Sequence, residues 1–508
     1  MKDYTNIQNG SDIRGVAIEG VPGEPVTLTP QAACDIAAAF ALWLSEKYGK
    51  PCGALRVAVG RDSRLSGPAL AAAVTEGLTG AGAAVADCGM ASTPAMFMST
   101  VLEGHRCDGA IMITASHLPY NRNGLKFFTA DGGLEKTDIA WLTGTAAGSL
   151  PAGGGGKVQQ VDLIGDYAAY LADKIRAGIN DPDNYQQPLT GLKIAVDAGN
   201  GAGGFFATRV LEPLGADTSA SRFLEPDGAF PNHIPNPEDK TAMASITEAV
   251  LQGGCDLGLI FDTDVDRAAA VDSEGREINR NRLVALMSAI VLADCPGSTI
   301  VTDSVTSSHL AAFIERELGG VHRRFKRGYK NVINESIRLC NEGIESPLAI
   351  ETSGHGALRE NFFLDDGAYL SAKIIIQFAR LRREGKTIGS LLAGLGEPAE
   401  SAELRFKIAG GAFGDYGKQV LADLQKLAET RPDWQIAPDN HEGIRISFNG
   451  AGERGWLLLR MSLHDPLMPL NIESDDVGGV RRIAAKLGNF LAGYDRLDTA
   501  PLHKLLEA

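Results

Sequence analysis

Thr114-Ala115-Ser116-His117-Leu118-Pro119-Tyr120-Asn121-Arg122-Asn123-Gly124-Leu125-Lys126 follows a short apolar run, Gly109 to Ile113, that reads as a buried strand bounded by turn residues. A serine just past the end of such a strand stands where several loops could converge on its hydroxyl. Ser, Asn, Pro and Gly are also ordinary turn formers, so alone the stretch reads equally as a polar strand-to-loop turn. Its neighbours in the chain weigh against that reading.

Upstream, Leu55-Arg56-Val57-Ala58-Val59 reads as a strand and Gly60-Arg61-Asp62-Ser63-Arg64-Leu65-Ser66-Gly67-Pro68 as a polar loop. Ala69 to Leu78 reads as a helix and Ala83 to Asp87 as a second strand. The plan recurs twice. Lys193-Ile194-Ala195-Val196-Asp197 leads through Ala198-Gly199-Asn200-Gly201-Ala202-Gly203-Gly204 into a helix ending near Leu214. Thr299-Ile300-Val301-Thr302-Asp303 leads through Ser304-Val305-Thr306-Ser307-Ser308 into a helix ending near Leu318. Three such units predict three related α/β domains with mixed sheets, whose strand-end loops are the natural ligand sites. Ser11-Asp12-Ile13-Arg14-Gly15 reads as a short polar turn, and Thr29 to Tyr48 as an amphipathic helix.

Two breaks divide the chain: Leu150-Pro151-Ala152-Gly153-Gly154-Gly155-Gly156, which reads as a flexible linker, and Gly394 to Ser401. Beyond the second, helix Gly417 to Glu429, strands Ile444 to Phe448 and Trp456 to Met461, and helix Val477 to Leu491 predict a smaller α+β domain. The expected domains are 1–156, 157–284, 285–398 and 399–508.

With 508 residues, 44% of them hydrophobic, the chain can bury several cores. A net charge of −15 disfavours nucleic acid, and seven scattered cysteines without CxxC pairs argue against a disulfide framework. No apolar run approaches a membrane span, and the first residues lack a signal core, so a cytoplasmic protein with no membrane partner is expected.

Four loops could carry chemistry. Phe261-Asp262-Thr263-Asp264-Val265-Asp266-Arg267 follows the apolar run Leu257 to Ile260 and places carboxylates at every second position, all on one side if the segment is extended. Three such charges repel unless a cation sits among them, and hard oxygen ligands suit Mg²⁺. A calcium EF-hand would need Gly at Arg267 and Glu at Ser273, so that reading fails; a solvated acidic turn remains open. Gly199 to Gly204 fits G-x-G-x-x-G, but its acidic partner is supplied only loosely by Asp217 or Glu225, as Gly-rich turns of any α/β unit allow. Glu351-Thr352-Ser353-Gly354-His355 offers a carboxylate, a hydroxyl and an imidazole suited to sugar hydroxyls, or a capping turn. Arg460 and Ser462 end a strand with a guanidinium and a hydroxyl, a pairing suited to phosphate as well as to a plain sheet edge. His322 to Lys330 is a basic patch, either solvated or attractive to an anion.

Taken together and in this order, these loops resemble those of the α-D-phosphohexomutases, the phosphoglucomutase and phosphomannomutase superfamily, along the whole chain. Asp12-Ile13-Arg14-Gly15, Gly60 to Pro68 and Phe230-Pro231-Asn232-His233 also look like family segments. The resemblance implies four domains around a central cleft, carrying the phosphoserine, metal, sugar and phosphate loops in turn. It implies exchange of phosphate between C1 and C6 of a hexose, glucose or mannose, through a phosphoserine and a hexose 1,6-bisphosphate that also acts as activator. Ser116 would carry the phosphoryl group, and Lys126 with Arg14 would act as acid and base, assisted by His117. Mg²⁺ would sit on Asp262, Asp264, Asp266 and the Ser116 phosphate. Glu351, Ser353, His355, Tyr329 and Arg267 would meet the sugar, and Arg460 and Ser462 the idle phosphate. A monomer or homodimer is expected.

The sequence departs from the usual pattern at Leu118, Thr263, Val265, Val305, Tyr329, Leu463 and His464, more at the recognition loops than at the transfer machinery. Phosphoglucosamine mutase, a sugar-phosphate-binding paralogue without turnover, and a dinucleotide enzyme built on the Gly199 loop are the competing readings.

Overall fold

The computed structural model describes residues 3–148, 154–411, 413–438, 440–462 and 465–507. Leu463, His464 and most of the expected linker lie outside the described residues. The chain divides into two compact units, Met1–Leu283 with Ser353–Leu391, and Val284–Thr352 with Leu392–Ala508.

The first unit opens with a mixed sheet. Its spatial order is Gln8–Asn9, Asp12–Val16, Arg122–Thr129, Gly109–Ile113, Arg56–Arg61, Ala84–Met90 and Val158–Gln160, with Gly132–Gly133 paired to Arg122–Thr129. The last four strands of that order are parallel, and Arg122–Thr129 runs against them. Gly109–Ile113 is buried throughout, as a central strand covered on both faces must be.

The expected polar turn at Ser11–Gly15 is mostly strand, Asp12–Val16, hairpinned to Gln8–Asn9 through Gly10 and paired with Arg122–Thr129. The helix Pro30–Tyr48 is capped by the Thr29 hydroxyl, but it is not amphipathic: Asp35 to Ala41 are all buried. Its alanines admit the neighbouring helix Gly67–Gly80 so closely that a Cβ at Gly77 would collide with the Cys34 carbonyl. The described end of the presumed linker is not slack either. The Gly154 and Gly156 amides bond the carbonyls of Gly80 and Thr79, and both glycines sit where a side chain would strike the backbone at Gly82 and Ala83.

The second sheet orders Glu277–Ile278, Ala268–Asp272, Leu257–Phe261 and Ile194–Asp197, with only the last pair parallel. The expected second parallel strand is reduced to the bridges Lys193↔Asp217 and Asp197↔Arg222. The expected helix winds as a π-helix over Phe206–Leu211, and Phe313–Glu317 of the second unit does the same after Ser308–Ala312.

In the second unit Val321–Arg324, Thr299–Thr302 and Leu348–Ile350 are parallel. A separate antiparallel sheet, ordered Glu400–Lys407, Leu467–Ser474, Gly455–Leu459, Ile444–Phe448 and Gln435–Ile436, carries helices Phe413–Glu429, Gly479–Leu491 and Ala500–Glu507. Three of these strands were not expected from the sequence: Glu400–Lys407, Leu467–Ser474 and the two-residue Gln435–Ile436. Glu400–Lys407 is a charged edge strand with little apolar signal, and Leu467–Ser474 contains Pro469, which argues against a strand.

Asp197 ends its strand fully buried and accepts the Gly199 amide (2.9 Å), the Ser245 hydroxyl (2.7 Å) and His233 Nε2 (3.0 Å). His233 Nδ1 donates to the Ile234 carbonyl (2.9 Å), so both ring nitrogens donate and the ring is an imidazolium. Burial opposes that charge, but Asp197 outweighs it and raises the histidine's pKa above the ordinary 6.5. A raised folded-state pKa gives stability that is full below the ordinary value and lost as pH climbs through the raised one. The deficit in Tm caused by His233→Gln is therefore expected to be larger at about pH 6 than at about pH 9. Equal deficits in thermal melts at the two pH values would remove the imidazolium.

Candidate active site

The serine loop is shaped from beneath. Ser116 adopts a left-handed backbone (φ 51), which non-glycine residues seldom take without outside restraint. That restraint is the fully buried Arg64. One of its terminal nitrogens donates to the carbonyls of Pro119 (2.8 Å) and Arg122 (3.0 Å), the other to those of Leu118 (2.7 Å) and Ser116. Its Nε meets Asp62, also fully buried, at 3.2 Å. The Asp62 carboxylate takes the Thr114 hydroxyl (2.7 Å), and the Thr114 oxygen takes the Ser116 amide (2.9 Å). Leu118 contributes its carbonyl to this network, so the departure there leaves the contact intact.

Downstream, Lys126 lies on the strand Arg122–Thr129 and not in the loop. Arg14 pairs across from Gly124, two residues before Lys126, so both cations project from one face of the sheet.

The three aspartates also converge, though not as expected. After Phe261 the chain turns instead of extending, and Val265 is left-handed (φ 68), an unusual conformation for a β-branched residue. Surrounding amides hold the turn: Thr263, Asp264 and Val265 carbonyls accept from Ala202 (2.8 Å), Thr93 (2.8 Å) and Gly367 (3.1 Å). A Cβ on Gly201 would lie 2.6 Å from the Thr263 carbonyl oxygen, one on Gly203 would press on Phe261, and one on Gly204 would strike Leu224. Packing accounts for that glycine spacing.

Oxygens of Asp262, Asp264 and Asp266 lie within 4.8 Å of one another, all buried. Lys126 Nζ reaches Asp266 Oδ2 (2.6 Å) and Asp264 Oδ2 (3.2 Å), while Asp264 Oδ1 and Asp266 Oδ1 are buried without a hydrogen-bond partner. Ser116 Oγ donates to Asp262 Oδ2 at 2.9 Å. Burial, then the charges of Asp266 and Asp264, push the Asp262 pKa well up; at Asp266 burial is outweighed by Lys126, His355 and Arg267, and its pKa falls. Orphaned oxygens among repelling carboxylates fit a hard divalent cation such as Mg²⁺.

His117 Nδ1 stands 3.2 Å from Ser116 Oγ. Burial, then the charges of Arg267 and Arg14, push its pKa down to about 2, so the imidazole is neutral near pH 7. Arg267 donates its amide to Asp262 Oδ1 (3.2 Å) and pairs with Glu238 (3.4 Å). His355 bridges to Arg267 through the backbone, and its Nδ1 lies 2.6 Å from Asp365 Oδ2 and 3.9 Å from Asp266 Oδ1. Ser353 Oγ is buried without a hydrogen-bond partner.

The second unit carries its own polar cluster. Glu351 accepts the Gly328 amide (2.6 Å) beside the half-buried Tyr329. Glu442 takes the Arg327 amide (2.9 Å), the Ser304 hydroxyl (2.6 Å) and Arg460 Nη1 (3.4 Å). Arg460 is buried but its Nε has no hydrogen-bond partner, and Ser462 Oγ accepts the Asp465 amide at 3.2 Å. Arg445 lies over the Trp456 ring, 3.5 Å from its centroid, and donates to the Ser304 carbonyl, fixing the loop that holds Val305.

Sequence reasoning gave no role to Arg64, Thr93, Asp365 or Glu442. Asp365 had a faint signal in Asp365-Asp366-Gly367, a helix start capped by Asp366; apart from the local Arg64–Asp62 pair, the others meet their partners only through the tertiary fold.

Three family descriptions match the chain in order: "Phosphoglucomutase/phosphomannomutase, alpha/beta/alpha domain I" over residues 5–141, domain II over 167–275 and domain III over 279–397. A phosphoglucomutase of Neisseria gonorrhoeae is 31% identical over 470 residues, covering 92% of this chain and 93% of its own. A phosphomannomutase/phosphoglucomutase of Pseudomonas aeruginosa is 31% identical over 489 residues, 96% of each chain. A solved phosphoglucomutase/phosphomannomutase family protein from Burkholderia thailandensis superposes with a TM-score of 0.77 at 28% identity, covering 96% of this chain and 97% of its own.

Removing one member of the buried Arg64–Asp62 pair strands the other's charge. Arg64→Met is expected to cost about 3–5 kcal/mol in chemical denaturation. Adding Asp62→Asn to it should recover part of that loss; a double variant as destabilised as the sum of the singles would show the pair to be uncoupled.

Proposed function

The chain belongs to the phosphoglucomutase/phosphomannomutase family of α-D-phosphohexomutases, and we propose that it interconverts hexose 1-phosphate and hexose 6-phosphate of glucose, mannose or both. The observation that carries this reading is Ser116 Oγ set 2.9 Å from Asp262 Oδ2 at the rim of a buried aspartate trio. A hydroxyl placed there is suited to accept and donate a phosphoryl group.

In the forward half-reaction the bond between phosphorus and Ser116 Oγ breaks as the free sugar hydroxyl forms its own bond to phosphorus. The product is a hexose 1,6-bisphosphate, and the same compound supplied from outside would prime Ser116. The sugar then returns its other phosphate to Ser116. Lys126 and Arg14 place positive charge beside the group in transfer, and Lys126 is the proposed acid and base for the hydroxyl proton. Neutral His117, beside the serine oxygen, is suited to assist. Held by Asp262, Asp264, Asp266 and the Ser116 phosphate, Mg²⁺ would neutralise charge on the phosphoryl oxygens.

Substrate is gripped through groups that do not react. Glu351, Ser353, His355, Tyr329 and Arg267 are the proposed sugar contacts. Arg460 and Ser462 are the proposed hold on the idle phosphate, a role that the buried, incompletely bonded guanidinium supports. Among the described residues no helix is long and apolar enough to cross a membrane. A cytoplasmic monomer or homodimer is the proposed setting.

A panel of glucose, mannose and glucosamine phosphates, primed with the matching bisphosphate, tests the reading. Turnover is expected on glucose or mannose phosphate; turnover on glucosamine phosphate alone, or on none, would refute it. Ser116→Ala should lower turnover by at least about 10³-fold with an unchanged melting curve. Intact mass after exposure to bisphosphate should show one added phosphate on the wild type and none on the variant.

A further inference from the structure

One residue grips Asp264 at two atoms. Thr93 opens the short helix Thr93–Met98; its amide donates to the Asp264 carbonyl (2.8 Å) and its hydroxyl to Asp264 Oδ2 (2.5 Å). Capping does not explain the hydroxyl, because Ser92 already caps that helix by accepting the Ala95 amide at 3.3 Å. Thr93 is itself buried, so the contact is not diluted by solvent. Lys126 Nζ donates to the same Oδ2 at 3.2 Å. Both donors therefore sit on one oxygen, while Oδ1 of the same carboxylate is buried with no hydrogen-bond partner. A carboxylate rotating about its Cβ–Cγ bond exchanges its two oxygens, and the Thr93 hydroxyl opposes that rotation.

We propose that Thr93 is a positioning residue for the divalent cation: by engaging Oδ2 it turns Asp264 Oδ1 toward the centre of the aspartate trio. The proposal rests on the metal reading of that trio. The Thr93 amide fixes the height of the Asp264 backbone, and the hydroxyl fixes the twist of its side chain. Only the second is lost when the hydroxyl alone is removed. Donors that orient a metal ligand in this way typically change metal affinity 10–100-fold.

Thr93→Val deletes the hydroxyl and nearly keeps the shape, whereas Thr93→Ser keeps the hydroxyl and deletes a methyl group. Mg²⁺ is titrated calorimetrically into phosphatase-treated full-length wild type and both variants, with melting curves recorded in metal-free buffer. Thr93→Val is expected to bind Mg²⁺ about 10-fold more weakly, and Thr93→Ser close to wild type. Wild-type affinity in Thr93→Val overturns the proposal, and a lowered Tm beside it would make Thr93 a staple between segments only. Equal weakening in both variants also overturns it, by tracing the effect to packing of the methyl group. A wild type that takes up no Mg²⁺, either phosphatase-treated or after priming of Ser116 with hexose bisphosphate, would sink the metal reading of the trio and this role with it.

Discussion

Three carboxylates in one buried place repel one another, and much of the first unit is arranged around that repulsion. Asp262, Asp264 and Asp266 would spring apart in a flexible loop, or protonate and lose their chemistry. Lys126 offsets part of the charge from the neighbouring sheet, at 2.6 Å from Asp266 and 3.2 Å from Asp264. The remainder calls for a cation on the orphaned oxygens. Tying Ser116 to Asp262 anchors the serine hydroxyl on the same charge cluster, so the proposed nucleophile and the proposed metal ligands share one environment.

Rigidity around this cluster comes from backbone pairing more than from side chains. Each carbonyl from Thr263 to Val265 is taken by an amide from a different part of the unit: the glycine-rich loop, the start of a short helix and the start of helix Gly367–Arg383. The serine loop is held instead by a side chain, with the Arg64 guanidinium bonding four of its carbonyls. Both loops carry a left-handed residue, Ser116 in one and Val265 in the other, and in both the strain is sustained by these fixed partners.

Much of this was legible in the sequence, and what escaped did so for identifiable reasons. Buried strands such as Gly109–Ile113 and Leu257–Phe261 announce themselves by unbroken apolar runs ending in polar loops, which is why the serine and the aspartates were found. Alternate spacing of the aspartates suggested an extended segment. The spacing was real but the conformation was not, because periodicity says nothing about amides that arrive from residues 93, 202 and 367. Arg64 and Thr93 were invisible as constraints for the same cause: their partners are remote, and a loop arginine or a helix-start threonine looks ordinary in one dimension. Glycine proved ambiguous in both directions, reading as slack at Gly154 and Gly156 and as a nucleotide fingerprint at Gly201, when each marks a tight crossing of two backbones.

Val265 has a final consequence, for the order in which the chain matures. Its left-handed turn is imposed by contacts and not by its own preference, and one of those contacts, the Gly367 amide, belongs to a residue synthesised roughly a hundred positions later. Until that residue emerges, one of the three amides that hold the turn of the acidic segment is missing. A chain cut off before that point would hold Ser116 and the three aspartates without one of the amides that shape their loop.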